Sequence, residues 1–335
     1  MRYSVILEAY GTSPIFDSAE FQADRLTEEL GMEVHAAYSH RGEPSVEEVL
    51  QEVALEDPDV LVVVPFYFAP SPTTEGGTFE RFGVDPKTRR GIIKLSGKDV
   101  EVRVARMFIT EEEGLKEAVK AVVSKKAGKD TGIMLVGHGS RNGKNLEMMR
   151  PFGAALSSEG YDVLCGSNEF DEETVESMLS DLASRKDRIA VLPMFISPNK
   201  HSREDVPPKL GLGIGKTSGT VSVNGRRVDV EMLPEIGSCP EITGIIAKTV
   251  KDAMRQYCQS CGMPLDDSVV SREPDGTVNW KYCKWCYSDG RFAYSSIDEI
   301  SAFLSSFMAK EGFPPEQVKD FLETTLPSLE RWRSS

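Results

Sequence analysis

The sequence predicts an α/β protein with two similar parallel-sheet βαβ lobes that face a cleft, followed by a small cysteine-rich module and two C-terminal helices. Three observations predict this fold. The first 256 residues repeat at a shift of 128, apolar runs alternate with helical patterns in each copy, and two Cys-x-x-Cys pairs follow the repeat. Alternating strands and helices are typical of a parallel sheet with helices on both faces.

The repeat is clearest at glycines and at strand ends. The shift aligns residues 9–13 (AYGTS) with 137–141 (GHGSR), and 65–70 (PFYFAP) with 193–198 (PMFISP). Three glycines also fall on glycines: Gly83 on Gly211, Gly91 on Gly219 and Gly97 on Gly225. Glycines mark special backbone geometry, so several of them in one register indicate two copies of one domain. We expect lobes at 1–128 and 129–256, and the cysteine-rich module with its helical tail at 257–335.

The elements of the second copy follow from their patterns. Continuous apolar runs predict buried strands at 133–136, 161–165 and 189–192, and helical periodicity predicts helices at 144–159, 172–185 and 240–256. Asn224-Gly225 predicts a β-hairpin, with a counterpart at Ser96-Gly97 in the first copy. Ligands of such sheets bind beyond the carboxyl ends of the strands, which is where functional side chains are expected.

Composition excludes several classes of protein. The chain has 335 residues and a net charge of −14, which makes it a poor candidate for nonspecific nucleic-acid binding. No apolar run approaches the ~20 residues that span a bilayer. The first residues, MRYSVILEAYG, are typical of a β-strand rather than a signal peptide. We therefore expect a cytoplasmic protein with no membrane or nucleic-acid partner.

Two of the four histidines follow strands of the second copy. His138 comes directly after the first strand, His201 lies a few residues after the third, and Glu169 follows the second. The carboxyl ends of parallel strands share one sheet edge, so we expect these side chains to converge. Two imidazoles and a carboxylate suit a divalent transition metal, and they also suit proton transfer near neutral pH. A single histidine at a strand end is more often structural, so the prediction depends on their joint placement.

Three motifs occur here in a fixed order: GHGSR at 137–141, NEF at 168–170 and HSREDVP at 201–207. In this order they resemble the class II tetrapyrrole chelatases, above all the sirohydrochlorin cobaltochelatases and their iron- and nickel-inserting relatives. In the first copy, Ala9-Tyr10-Gly11-Thr12 is similar to the N-terminal motif of ferrochelatases, which are built as the same tandem duplication. The resemblance covers residues 1–256. It implies that His138 and His201 bind the incoming metal and that Glu169 assists metal binding and proton removal.

The function that the resemblance implies is insertion of a divalent metal into sirohydrochlorin, in cobalamin or related tetrapyrrole biosynthesis. Co²⁺ is the expected substrate metal, with Fe²⁺ or Ni²⁺ as alternatives. A noncatalytic protein that delivers a tetrapyrrole or a metal is the alternative of a different class. The enzyme is favoured because both histidines and the glutamate occur in one copy.

The first copy lacks these ligands. Tyr10 stands at the position of His138, Thr73 at that of His201, and a one-residue slip aligns His40 with Glu169. We therefore expect one active site per chain, with a degenerate first lobe as its opposing wall. Tyr10 would stack on or hydrogen-bond the macrocycle, although simple packing explains a tyrosine there equally well.

The implied substrate carries eight carboxylates, so an acidic chain must supply a local basic patch. Arg141 and Arg203 flank the two histidine motifs, and with Ser140 they are the expected substrate contacts. Asp205 lies four residues after His201. We interpret it as an orienting or helix-capping group rather than a metal ligand.

The C-terminal module contains Cys258-x-x-Cys261 and Cys283-x-x-Cys286, separated by 21 residues. This spacing predicts a zinc ribbon in which four thiolates hold a structural Zn²⁺, with a redox role as the alternative. The run resembles a small zinc-ribbon family of unassigned activity. Apolar stripes from Ile297 and after Pro314-Pro315 predict two helices that pack on each other or on the ribbon, or that dock a protein partner.

Overall fold

The computed structural model describes residues 1–11, 13, 16–69, 71–141, 143–170 and 172–333. Thr12 and Pro70, which belong to the aligned motifs of the first copy, lie outside the described residues. The chain divides into two compact units, Met1–Ala253 and Met254–Ser335. In the part of the chain that is described, no helix is long and apolar enough to cross a membrane.

The first unit begins with a five-stranded sheet in the order β2-β1-β3-β5-β4. Its strands are β1 Tyr3–Gly11, β2 Val34–Arg41, β3 Val60–Pro65, β4 Arg90–Leu95 and β5 Lys98–Val104. Its helices are α1 Ser18–Leu30, α2 Val46–Leu55, α3 Glu75–Arg81 and α4 Glu112–Lys126. Asp17 caps α1, and Ser45 with Glu48 forms a capping box at the start of α2, so these two helices begin at side chains that satisfy their free N–H groups.

A second sheet follows in the equivalent order, β7-β6-β8-β10-β9. Its strands are β6 Gly132–Gly137, β7 Asp162–Ser167, β8 Arg188–Pro193, β9 Ser218–Val223 and β10 Arg226–Met232. Its helices are α5 Lys144–Ser158, α6 Val175–Ala183, α7 Val206–Lys209 and α8 Thr243–Met254. The bounds of β3, β4 and β5 coincide with those of β8, β9 and β10 after a shift of 128 residues, so the sequence repeat is also a structural one.

The α/β fold class is confirmed, with one refinement of the sheets. Strands β1, β2, β3 and β5 are parallel, but β4 pairs antiparallel with β5, and β9 likewise with β10. The reason is the predicted hairpin. Ser96-Gly97 and Asn224-Gly225 all have φ between 49° and 86°, the conformation that a tight two-residue hairpin turn needs. Each sheet is therefore mixed, with one antiparallel edge strand.

The carboxyl ends of the two sheets face each other. The Gln22 side chain, near the start of α1, donates to the carbonyl oxygens of Gly237 and Cys239, at 3.0 and 2.9 Å, just beyond the end of β10. At the end of β1, the Ser13 hydroxyl donates to the Pro198 carbonyl oxygen at 2.6 Å, three residues before His201. Residues that follow the strands of both sheets therefore border one cleft.

The second unit has short antiparallel strand pairs and a helical tail. Its strands are β11 Gln256–Tyr257, β12 Pro264–Leu265, β13 Val270–Arg272, β14 Val278–Cys283, β15 Tyr287–Ser288 and β16 Arg291–Phe292. Its helices are α9 Ile297–Lys310, α10 Pro315–Asp320 and α11 Leu326–Ser328, with a π-helical turn over Phe321–Thr325.

The predicted apolar stripes of the tail are divided between the core and the surface. Ile300, Leu304 and Leu326 are buried with the four cysteines in one cluster. Phe303 and Phe307 of the same stripe are about half exposed and stack on each other at 5.9 Å. Packing on the ribbon therefore accounts for part of the stripe.

Candidate metal site

The loop after β6 places His138 at the sheet edge. Strand β6 is buried throughout and ends at Gly137, so the next residue is the first that reaches the cleft. A Cβ on Gly137 would lie 2.3 Å from Oδ1 of Asn145, and that oxygen accepts a hydrogen bond from the Gly139 N–H at 3.0 Å. Because Gly137 has no side chain, the Asn145 side chain of α5 can lie against the backbone and hold the loop that carries His138 in place.

His201 begins a π-helical turn, His201–Asp205, that leads into α7. Pro207 and Pro208 lack the N–H groups that would continue regular helical bonding to residues 203 and 204. The Val206 N–H instead bonds to the His201 carbonyl oxygen, five residues earlier. Such π-turns are frequent at functional sites.

The structure brings the two histidines together. Their ring centroids are 4.4 Å apart, with the ring planes at 70°. Oδ2 of Asp205 lies 2.8 Å from Nδ1 of His201. A carboxylate at Nδ1 holds the proton on that nitrogen and leaves the lone pair of Nε2 free for a metal ion. Both rings are only partly buried, so an ion can reach them from the cleft.

Glu169 joins the pair through its backbone and its side chain. Its N–H donates to the His138 carbonyl oxygen at 3.0 Å, and its own carbonyl oxygen accepts from the Ser167 hydroxyl at 2.8 Å. Its carboxylate, the His201 ring and the Asp205 carboxylate have ligand atoms that all lie within 4.8 Å of one another. The Glu169 carboxylate therefore lies beside His201, whose ring contacts that of His138, and imidazole and carboxylate groups suit a divalent transition metal.

Gly139 permits the close approach of the Glu169 backbone to the loop that carries His138. Its φ is +94°, and a Cβ there would lie 1.7 Å from the Glu169 carbonyl oxygen. We expect Gly139→Ala to displace the Glu169 loop and to weaken metal binding at this site strongly. Gly143→Ala is the matched control, because Gly143 also has positive φ (+70°) but a Cβ there meets nothing within 4 Å.

The two glycine variants separate backbone strain from the steric contact. Gly143→Ala should lower the free energy of unfolding by about 1–2 kcal/mol, because the new side chain strains only the positive-φ backbone. Gly139→Ala should lose about 1–3 kcal/mol more, because the carbonyl must move. Urea unfolding followed by far-UV circular dichroism measures both losses, and Co²⁺ binding measures the effect on the site. Equal losses in the two variants would show that the contact with Glu169 has no role.

The sequence did not indicate Lys209, and it gave Asn168 only as part of the NEF motif, without a role. Lys209 in α7 donates to Oδ1 of Asn168 at 2.9 Å, and Nδ2 of Asn168 lies 3.4 Å from Nδ1 of His201. Asn168 is 4% exposed, so it is a fixed part of the support beneath His201. The spacing of Lys209 four residues after Asp205, on one helical face, is the signal that could have indicated it.

The expected substrate contacts have different surroundings. The Ser140 hydroxyl accepts from the Asn145 N–H at 3.0 Å and so helps to start α5. Arg141 is exposed, and its guanidinium lies 5.6 Å from the Phe170 ring, which is itself 55% exposed. Arg203 instead donates to Oε2 of Glu235 at 2.8 Å, and that carboxylate is 1% exposed. Arg141 and Phe170 are open to a ligand, whereas Arg203 already has an anionic partner.

The opposing lobe has a different pair at the equivalent strand ends. Tyr10 is 50% exposed and stacks on His40, with ring centroids 4.2 Å apart and planes at 14°. Thr73 is exposed and lies beside Ser71, with the two hydroxyl oxygens 3.1 Å apart. The first lobe therefore presents the stacked Tyr10 and His40 at the positions of His138 and Glu169, and a threonine at the position of His201.

The four ribbon cysteines are buried, unbridged and gathered within 4.8 Å of one another. Sγ of Cys261 and Sγ of Cys283 are 3.8 Å apart. Four Zn–S bonds of about 2.3 Å in a tetrahedron place their sulfurs about 3.8 Å apart. The Cys283 N–H also donates to Sγ of Cys258 at 3.3 Å, as backbone groups around zinc thiolates do. The arrangement fits a tetrahedral zinc ion.

Models of known families match two parts of the chain, the second lobe and the C-terminal module. The family model described as CbiX matches residues 132–253, and a zinc ribbon domain model matches residues 257–333. Residues 132–253 are therefore similar to the CbiX family. The sirohydrochlorin cobaltochelatase of Saccharolobus solfataricus is 27% identical over 122 residues, which is 36% of this chain and 94% of that protein.

Solved structures extend the likeness of the fold to most of the chain. The structure of CbiX, described as the terminal enzyme of siroheme biosynthesis in denitrifying bacteria, has a TM-score of 0.52 at 18% identity and covers 76% of this chain and 100% of its own. DR2241 of Deinococcus radiodurans, a multi-domain protein described as similar to chelatases, has a TM-score of 0.56 at 18% identity. That match covers 75% of this chain and 55% of DR2241. The two-lobed chelatase fold is thus confirmed.

Proposed function

We propose that this protein inserts a divalent metal, Co²⁺ in the first instance, into sirohydrochlorin, within cobalamin or related tetrapyrrole biosynthesis. The observation that carries the proposal is the pair of imidazoles with ring centroids 4.4 Å apart, with the Glu169 carboxylate beside His201, at the strand ends that border the cleft. The relatives of the CbiX-family domain are named for this reaction.

The reaction needs a metal that can be released and a base that can take protons. Neutral imidazoles hold a divalent ion without adding charge, so the ion can pass to four pyrrole nitrogens. Asp205 keeps Nε2 of His201 available through its contact with Nδ1. Glu169 is exposed beside the pair and would take a pyrrole proton as the metal enters.

The second lobe also supplies surface for the macrocycle. Phe170 and the His138 ring are nearly parallel, with planes at 15° and centroids 6.5 Å apart, and Arg141 lies over Phe170. An exposed aromatic ring beside a guanidinium suits the apolar face and the peripheral carboxylates of a sirohydrochlorin-type tetrapyrrole. We assign carboxylate binding to Arg141 and Ser140 first, because Arg203 would have to leave Glu235 to reach a substrate.

The remaining assignments concern the organisation of the chain. We propose a degenerate lobe at 1–128, an active lobe at 129–256 and a module at 257–335 that holds structural Zn²⁺ through Cys258, Cys261, Cys283 and Cys286. Unbridged thiolates of this kind persist in a reducing compartment, which supports the cytoplasm. A protein partner for the ribbon or its helices stays a prediction.

A metal comparison tests the proposal. Purified protein mixed with sirohydrochlorin and Co²⁺ should show the visible spectrum of the metallated product at a rate well above the uncatalysed background. The same experiment with Fe²⁺ and Ni²⁺ determines the preferred metal, since ligand affinity alone follows the Irving–Williams order and does not select cobalt. A background rate with all three metals would favour the alternative function, delivery of a tetrapyrrole or a metal without catalysis.

A further inference from the structure

We propose that His40, in the lobe without metal ligands, accepts a pyrrole proton from the face of the macrocycle opposite the metal. This inference rests on the proposed metal insertion. Insertion of M²⁺ releases two N–H protons from the tetrapyrrole. When the ring bends around a metal on one face, one N–H can point to that face and the other to the opposite face, which Glu169 and the two histidines do not reach.

His40 stands at the strand end that borders the cleft. Strands β1 and β2 pair as far as Gly11 and Arg41, with a register shift between Ala9 and Gly11, and Tyr10 and His40 lie side by side at this end of the sheet. A Cβ on Gly11 would lie 2.3 Å from the Arg41 carbonyl oxygen, and its absence allows this close pairing. Both Tyr10 and His40 are exposed. The imidazole is therefore held by its stack on Tyr10 and open to a ligand.

The same segment contacts the loop of the metal site. Ser13 bonds to Pro198, and Tyr10 and His201 each lie three residues from that contact. Three residues of extended chain reach about 11 Å at most. The Tyr10–His40 pair and the metal ligands therefore lie on segments that meet at this contact.

A hydrogen-bond chain fixes which nitrogen of His40 is basic. The Ser39 hydroxyl donates to the Ala9 carbonyl oxygen at 3.1 Å, so its oxygen is left to accept from Nδ1–H of His40, also at 3.1 Å. The lone pair then lies on Nε2, the ring nitrogen farther from the backbone. A neutral imidazole held in this tautomer is a proton acceptor.

Behind Ser39 lie the Tyr67 hydroxyl and a buried carboxyl group. The Tyr67 hydroxyl lies 3.2 Å from Ser39 Oγ and also hydrogen-bonds to Glu8, which is 0% exposed. Thr78 and Arg81 complete the surroundings of Glu8. Burial raises the pKa of the Glu8 carboxyl, against the opposing effect of Thr78 and Arg81. These contacts place a buried acidic side chain behind the Tyr10–His40 pair.

The second lobe shows that the fold does not need this polar chain. The shift of 128 residues places Val136 at the position of Glu8, Phe195 at that of Tyr67 and Val206 at that of Thr78, and all three are buried and apolar. A buried carboxylate costs free energy unless it is paired and hydrogen-bonded. The polar chain is thus specific to the lobe that carries His40.

The proton balance is complete without another reactant. One pyrrole N–H gives its proton to Glu169 on the metal side, and the other gives its proton to Nε2 of His40. The electron pairs stay on the nitrogens and bind the metal. The exposed imidazolium then returns its proton to water, which restores the neutral ring for the next turnover.

The test compares His40→Ala with His35→Ala in the full chain. His35 is the matched control, because it lies on the same strand β2 at the opposite end, beside Glu56. We expect His40→Ala to lower kcat for Co²⁺ insertion about 10- to 100-fold, the range of a lost general base partly replaced by water. His35→Ala should stay within twofold of the wild type. The dissociation constant of metal-free sirohydrochlorin, from fluorescence quenching, should change less than twofold in both.

Added imidazole distinguishes a proton acceptor from a packing residue. It should raise kcat of His40→Ala toward the wild-type value and leave the other proteins unchanged. Unchanged kcat in His40→Ala overturns the proposal, and so does a lower kcat that imidazole does not raise. Absence of insertion by the wild type with any metal would instead overturn the proposed function, so the two failures are distinguishable.

Discussion

His201→Ala is expected to lower metal insertion at least about 100-fold, and His138→Ala should do the same. Each variant leaves a single imidazole beside Glu169, and loss of even an orienting partner of a ligand costs 10- to 100-fold in many metal sites. Both side chains are partly exposed at a loop, so the lobes should keep their fold. Initial rates of Co²⁺ insertion and far-UV circular dichroism measure the two effects.

Thr73→Ala is the matched control for His201→Ala. Thr73 occupies the position of His201 in the first lobe and is exposed there. Its removal should leave the insertion rate within twofold of the wild type. If Thr73→Ala were as damaging as His201→Ala, the assignment of a single site to the second lobe would be wrong.

Zinc removal should unfold the second unit and leave the chelatase lobes intact. Thiolate ligation couples zinc binding to folding, with apparent binding free energies of about 10–16 kcal/mol in zinc-finger peptides. All three tryptophans, Trp280, Trp285 and Trp332, lie in the second unit, so tryptophan emission reports on this unit alone. Cys283→Ser should lose bound zinc and shift this emission to longer wavelength, while Co²⁺ insertion continues.

Cys165→Ser provides the control for the ribbon variant. Cys165 is a thiol of strand β7, packed near Gly153 of α5 and outside the ribbon. This variant should keep the zinc content and the tryptophan emission of the wild type. A Cys283→Ser protein that is monodisperse, with native circular dichroism in its lobes but no insertion activity, would show that the ribbon shapes the active cleft.

The strand framework was predictable because it depends on local chemistry. A local sequence pattern determines the buried strands and the hairpin turns. Examples are the apolar runs in Val60–Pro65 and Arg188–Pro193 and the turns at Ser96-Gly97 and Asn224-Gly225. Because the chain contains two copies of the domain, most of these patterns occur twice at equivalent positions. Convergence of His138, Glu169 and His201 followed from one general rule, that parallel strands end at the same edge.

The parts that were not predictable depend on contacts between distant segments. The partner of Arg203 is Glu235, thirty-two residues away and beyond the hairpin, so no local pattern marks the ion pair. The stack of Tyr10 on His40 joins the ends of two different strands. The π-turn at His201 has a local cause in Pro207 and Pro208, but helix patterns alone place these prolines simply at a helix start.

The most direct test of the central claim is the coordination of Co²⁺ on the zinc-loaded protein, measured by X-ray absorption at the cobalt edge. A metal held between His138 and His201 predicts a shell of nitrogen and oxygen atoms with the multiple scattering of two imidazoles, reduced to one imidazole in His201→Ala. A sulfur shell, or a spectrum that neither histidine variant changes, would contradict the account.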